Sequence, residues 1–215
     1  MTIERGKLIV FEGVGGSGKS TQIRRAKKYL RDEKEIDVLR TREPGGVKGA
    51  EIIRKLIFDL KEAGIVNADH QMALFFASRK IWLESKIKPT LGRGKWVLTD
   101  RCDTSTNAYQ GYGEGGNLAT IAQFSNFIMG TCRPDAVLLI DISLETFMKR
   151  RGVNPDGDPF DKMGPDFCLR VIEGYRKMAK DRWMDMNWYL INGEGSISEV
   201  WGEVRNVLDF LATKK

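Results

Sequence analysis

Gly13-Val14-Gly15-Gly16-Ser17-Gly18-Lys19-Ser20 fits the spacing Gly-x-x-x-x-Gly-Lys-Ser/Thr at every fixed position. The chemistry this permits is a phosphate cradle. Glycines let the backbone turn tightly enough to aim several N–H groups at one point. A helix beginning inside the motif adds the positive end of its dipole to the same anion site. The lysine can then reach β- and γ-phosphates, and the hydroxyl of Ser20 suits Mg²⁺. The motif also has the required context, because the apolar run Leu8-Ile9-Val10-Phe11 precedes it and a helical pattern starts at Lys19. The plain alternative, a glycine-rich turn with an exposed lysine, does not account for that context. Gly13 through Ser20, with Thr21, are therefore expected to bind ATP, with Lys19 in a catalytic role.

A phosphate loop does not name a reaction, since kinases, GTPases and motor ATPases share it. Three further clusters carry the other half of the chemistry. Thr41-Arg42-Glu43-Pro44-Gly45-Gly46 follows a second strand-like run, and Asp100-Arg101-Cys102-Asp103 follows a third, leading to Ala108-Tyr109-Gln110-Gly111. Phe75-Phe76-Ala77-Ser78-Arg79 lies on a helical pattern before that third run. Each has a structural reading of its own: a turn, an ion pair, two core phenylalanines. Together, arginines and aromatics suit a phosphate and a flat base, because arginine grips phosphate bidentately and an aromatic face stacks on a nucleobase.

With these motifs, joined by Phe11-Glu12-Gly13 and Glu173-Gly174-Tyr175, the chain resembles the bacterial thymidylate kinases over essentially its full length. That resemblance implies transfer of the γ-phosphoryl of ATP to dTMP, in a Mg²⁺-dependent homodimer. It further implies that Phe75 stacks on thymine and Arg79 hydrogen-bonds the base, while Arg101 and Arg54 hold the acceptor phosphate. Glu43 and Pro44 would line the pocket, Thr106 and Gln110 would add contacts, and Tyr109 would sit under the deoxyribose. Asp100 would stand with Ser20 near the metal. A kinase for another monophosphate, such as dUMP or a purine nucleotide, is the nearest alternative. A nucleic-acid-binding P-loop ATPase is a more distant one, and no guanine-specificity motif of the NKxD kind supports a GTPase.

The match weakens at one place. The family sets an arginine in the phosphate loop or in a lid, but here the variable loop positions are Gly15 and Gly16, and the lid position reads Asp158-Pro159. Lys149, Arg150, Arg151 and Lys162 are the cations nearby. Arg151 fits the family pattern best and Lys149 second, so these two join Lys19 and Arg101 as candidate catalytic residues. The turn-rich stretch of about 150–164 could be an ordinary loop or a mobile lid.

The elements that must hold these groups follow from the apolar pattern. Residues 8–11, 36–39, 96–99, 136–140 and 188–191 are continuous apolar or near-apolar runs, as parallel strands covered on both faces require. Helical patterns alternate with them, including 69–88, 117–130, 143–151, 165–183 and 197–211. This alternation predicts an α/β chain with a five-stranded parallel sheet and helices on both faces, the three-layer fold of P-loop NTPases. All 215 residues are expected to form one domain carrying the short lid.

Composition agrees. The chain is 41% hydrophobic and 30% charged, with no transmembrane-length apolar stretch and no apolar signal core near Met1. Its net charge of +6 suits nucleic acid or an enzyme with two polyanionic substrates. The convergence of the arginines on strand ends favours the second, with no nucleic-acid or membrane partner expected. Cys102, Cys132 and Cys168 make neither a disulfide framework nor a metal site, which fits free thiols in a reducing cytoplasm. Only Cys102 stands beside candidate chemistry, where it could be reactive. The single histidine, His70, reads as a surface structural residue near a helix start.

Overall fold

The computed structural model describes residues 4–150, 160 and 163–213. Five parallel strands form one sheet in the order β2-β3-β1-β4-β5, with β1 Leu8–Glu12, β2 Val38–Arg42, β3 Trp96–Asp100, β4 Ala136–Asp141 and β5 Trp188–Asn192. The three central strands are buried along almost their whole length, and the edges β2 and β5 are partly exposed. This is why the central runs read as continuously apolar and the edges do not.

Alternate residues feed two cores. Ile9, Phe11, Leu98, Leu138 and Ile140 pack against α1 (Lys19–Asp32) and α9 (Ile197–Thr213) through Ile23, Leu30, Val204 and Leu208. Leu8, Val10, Val97 and Val137 pack against α3 (Ala68–Trp82) and α6 (Leu118–Met129) through Phe76, Trp82, Ile121 and Met129. Helices therefore cover both faces, as the sequence pattern predicts. The remaining main helices are α2 (Lys48–Glu62), α7 (Leu144–Arg150) and α8 (Pro165–Lys180).

Several boundaries differ from the sequence reading for identifiable reasons. β2 lies two residues later than 36–39, because Ile36 still donates to Leu30 O at the end of α1 and Glu35 turns the chain at φ 55°. The shift brings Arg42 opposite Asp100 at the carboxyl edge of the sheet. The helix expected over 69–88 runs on through a π-helical turn, Leu83–Ile87, into α4 (Lys88–Gly92). Pro89 sits in the first turn of α4, and the wider turn before it accommodates the missing N–H. A helical segment not signalled by any period follows β3: α5 (Asp103–Thr106), continued by a π-helical turn, Asn107–Gly113. At the start of α3, Asn67 accepts from the N–H groups of Asp69 and His70, and the His70 ring answers the Asn67 N–H. His70 thus closes a capping box at the surface, in keeping with its expected structural role.

The order of the strands positions the site. After β1 the chain moves out to β2, returns through β3, and then crosses to β4 on the other side of β1. The carboxyl end of β1 is therefore the switch point where an α/β sheet opens a crevice for ligands. Among the described residues, no helix is long and apolar enough to cross a membrane.

Candidate functional site

The phosphate loop occupies that switch point. Residues Gly13–Gly18 turn between β1 and α1, and Lys19, Ser20 and Thr21 form the first turn of the helix. Gly13 has φ 135°, and a Cβ there would lie 2.5 Å from Ile140 O, so the position excludes any side chain. Lys19 is buried and its Nζ donates to the carbonyls of Gly13 at 2.8 Å and Val14 at 2.9 Å. The Ser20 hydroxyl donates to Asp100 Oδ2 at 3.0 Å, which joins the loop to the end of β3.

Beside the loop lies a cleft enclosing about 830 Å³, including the space at its mouth. Every acceptor-side residue expected from the sequence lines it: Glu43, Pro44, Arg54, Phe75, Arg79, Asp100, Arg101, Thr106, Tyr109 and Gln110. Gly15 of the phosphate loop lines the same cleft, so the loop and the arginine- and aromatic-lined wall meet there. The paired phenylalanines separate, with Phe75 on the cleft wall while Phe76, in the core, stacks on the partly exposed Phe124.

Glu12 organises the junction. It ends β1 with no exposure, and a buried carboxylate must be matched by donors or charge. Its Oε1 accepts from the Cys102 N–H at 2.9 Å and from Thr104 Oγ1, and its Oε2 accepts from Ser105 Oγ and Tyr175 OH, both at 2.7 Å. Arg101 lies 3.9 Å from Oε2 and donates to Ser105 Oγ, Tyr175 OH and Tyr109 OH at 3.0–3.1 Å. Its backbone is left-handed, φ 73°, a conformation that a non-glycine residue holds only when its surroundings impose it. Burial works against the guanidinium charge, but Tyr109, Tyr175 and Glu12 together raise its pKa well above the usual value. Arg101 is a permanent, oriented cation at the cleft.

A second buried charge cluster forms the base of the cleft. Arg79 Nε lies 2.5 Å from Glu43 Oε1, with both side chains at most 2% exposed. The angles do not make this contact a hydrogen bond, and Arg79 Nη1 also lacks one among the described residues. Its Nη2 donates to Thr106 Oγ1 at 3.0 Å. Burial raises the Glu43 carboxyl to about 7 despite the neighbouring Arg79, with Asp103 adding to the rise. Cys102 lies in the same cluster. Burial first, then Asp103 and Glu43, hold its thiol well above the ordinary value. The expectation that Cys102 could be reactive is therefore corrected: a fully buried, protonated thiol is not a nucleophile.

Beyond the residues expected from the sequence, Arg42, Phe58, Cys102, Ser105 and Phe160 also line the cleft. Phe160 packs against Tyr109, Phe75 and Phe58 at centroid distances of 5.6, 6.2 and 6.4 Å, while the Arg54 guanidinium lies over the Phe58 ring at 4.4 Å. No local pattern marks these aromatics, because they meet only through the fold. Lys149 is exposed on α7 and is not among the cleft residues. Arg151, Lys162 and Asp158-Pro159 lie outside the described residues, as does most of the predicted lid.

The raised Glu43 pKa has a consequence for stability. Between the unfolded value of 4.5 and about 7, the folded state binds a proton that the unfolded state has lost, so stability falls as pH rises through this window. The full shift corresponds to on the order of 3 kcal/mol. Urea denaturation from pH 4.5 to 8 is expected to show this loss in the native chain and a distinctly flatter profile in Glu43→Gln. Identical slopes would show that Glu43 is ionised normally.

Comparison with known proteins agrees with this geometry. The family described as "Thymidylate kinase" matches residues 11–204. The chain is 34% identical over 204 residues to the thymidylate kinase of Legionella pneumophila (strain Paris), covering 95% of this chain and 94% of that one. It is 36% identical over 207 residues to that of Carboxydothermus hydrogenoformans, covering 96% and 98%. The crystal structure of thymidylate kinase from Ehrlichia chaffeensis superposes with a TM-score of 0.75 at 31% identity, covering 95% of this chain and 99% of that one. A phosphate loop at the switch point, an arginine- and aromatic-lined cleft beside it, and this likeness over nearly the whole length together show that the chain belongs to the thymidylate kinase family.

Proposed function

We propose that the protein phosphorylates dTMP to dTDP with ATP as donor. The observation that carries this reading is the meeting of the two half-sites: Gly15 lines the acceptor cleft, and Ser20 bonds to Asp100 at the cleft's edge. A phosphoryl group leaving the loop would enter the same cleft that Arg101 lines.

In this reading Gly13 to Thr21 cradle the ATP phosphates and Lys19 spans the β- and γ-groups. Ser20 and Asp100 hold Mg²⁺, and their hard oxygen donors fit a cation that is usually held by one or two protein oxygens plus phosphates. When bound, the metal supplies positive charge against the phosphate oxygens. Arg101 and Arg54 align the acceptor phosphate, Phe75 stacks on the base, and Arg79 donates to it. Glu43 and Pro44 shape the wall, Thr106 and Gln110 add contacts, and Tyr109 lies under the sugar. Catalysis is then mostly positioning and charge, with no covalent intermediate.

We read residues 1–215 as one domain, with a lid of about 150–164 that closes to exclude water. Because Gly15 and Gly16 bring no cation, Arg151, or next Lys149, supplies the charge on the transferring group. A homodimer is supported by exposed apolar side chains on three adjoining helices: Ile52 and Leu56 on α2, Ile81 on α3, and Phe124 and Phe127 on α6. Phe127 is the most exposed of them at 79%, and exposed apolar patches mark protein–protein contacts. Three free, buried cysteines fit the reducing cytoplasm.

Two measurements test this reading. Coupled ADP release with a panel of monophosphates is expected to show turnover with dTMP above all others; turnover with another monophosphate and none with dTMP refutes the substrate assignment. Arg151→Ala is expected to lower kcat at least tenfold with modest change in KM. An unchanged kcat removes Arg151 from the mechanism.

A further inference from the structure

Behind Gln110 runs a chain of buried polar side chains drawn from separate elements. Lys61, near the end of α2, pairs with Glu114 Oε1, with the two side chains only 12% and 8% exposed. The other oxygen, Glu114 Oε2, accepts from Gln71 Nε2 of α3 at 2.9 Å. Gln71 Nε2 also donates to Val66 O at 3.4 Å, and Gln71 Oε1 accepts from Gln110 Nε2 at 3.2 Å. Gln71 and Gln110 are 0% and 1% exposed.

The direction of every donor in this chain is set from its charged end. A carboxylate paired with Lys61 has only lone pairs to offer, and so has the Val66 carbonyl. The Gln71 group facing both must be its NH₂, which turns its carbonyl toward Gln110. Gln110 must answer with its own NH₂. Its carbonyl Oε1 makes no hydrogen bond among the described residues and is the group left for the cleft that Gln110 lines. Inverting either amide would set like groups face to face in a buried site, at the full cost of unmade hydrogen bonds.

We propose that Lys61, Glu114 and Gln71 are positioning residues for base selection, locking Gln110 as a hydrogen-bond acceptor. The site then favours a pyrimidine edge with a ring N–H over one with a bare ring nitrogen. This rests on the reading that the cleft takes the base of a nucleoside monophosphate. Thymine carries such an N–H at N3 between two carbonyls, whereas cytosine presents a lone pair there, which would oppose the Gln110 oxygen. Arg79 Nη1, buried and without a hydrogen bond among the described residues, is a donor suited to a neighbouring carbonyl of the same edge.

The test uses the full chain and the variants Glu114→Gln and Lys61→Met, with kcat and KM measured for dTMP and dCMP. An amide at position 114 can present either oxygen or NH₂, so it releases the constraint on Gln71. The KM for dTMP is expected to rise about tenfold, the loss of one oriented hydrogen bond, with kcat at saturation changed less than threefold. The ratio of kcat/KM for dTMP over dCMP is expected to fall at least tenfold. A merely structural network would weaken both substrates alike, so an unchanged ratio in a variant with native thermal stability overturns the proposal. If neither variant folds, Gln110→Met, which keeps the bulk and removes the acceptor, must lose the same discrimination, and an unchanged ratio there overturns it equally. If the native chain rejects dTMP but accepts other monophosphates, the substrate reading fails. The relay is then judged by whether these variants shift the preference between bases with and without a ring N–H.

Discussion

The buried carboxylate of Glu12 is the interaction on which the site's geometry depends. It stands at the last residue of β1, where the phosphate loop begins, and its oxygens are bonded to groups that follow β3 and to Tyr175 on α8. A charge in that position is costly unless donors surround it, and the chain folds Cys102, Thr104, Ser105, Tyr175 and Arg101 around it. The same bonds fix the loop's first residue relative to the acceptor arm. They also impose the left-handed backbone that turns Arg101 across the ring of Tyr109. The phosphate loop and the Arg101 arm are thus registered through one buried carboxyl group.

Charge is distributed unevenly around this anchor. Arg101 is held as a permanent cation beside the junction, whereas Glu43 and Arg79 form a tighter pair deeper in the cleft, where burial weakens the carboxylate. The first arrangement suits a dianionic phosphate, and the second suits a neutral, hydrogen-bonding ring. Aromatic walls of Phe58, Phe75, Tyr109 and Phe160 complete a surface for a flat ligand with a charged end.

Much of this was legible in the sequence. The phosphate loop is readable because its function depends on local spacing, eight consecutive residues that run from the end of a strand into the first turn of a helix. The sheet is readable because central parallel strands are apolar throughout, and the apolar run starts two residues ahead of β2 because an edge strand lacks that signal. Motifs mark most residues around the cleft, but no motif carries the roles of Glu12, Phe58 and Phe160. Their partners are distant in sequence: Glu12 meets Tyr175 and Phe58 meets Phe160 only after folding. The Lys61–Glu114–Gln71–Gln110 relay is hidden for the same reason, and the helical turn holding Gln110 has a π rather than an α period.

Half-sites registered through Glu12 favour transfer to dTMP over hydrolysis, and ATP labelled at its γ-phosphate distinguishes the two outcomes in the presence of Mg²⁺ and dTMP. Label is expected in dTDP, matching the ADP formed, with little in inorganic phosphate. Label appearing chiefly as inorganic phosphate, at the same rate with or without dTMP, would contradict that registration.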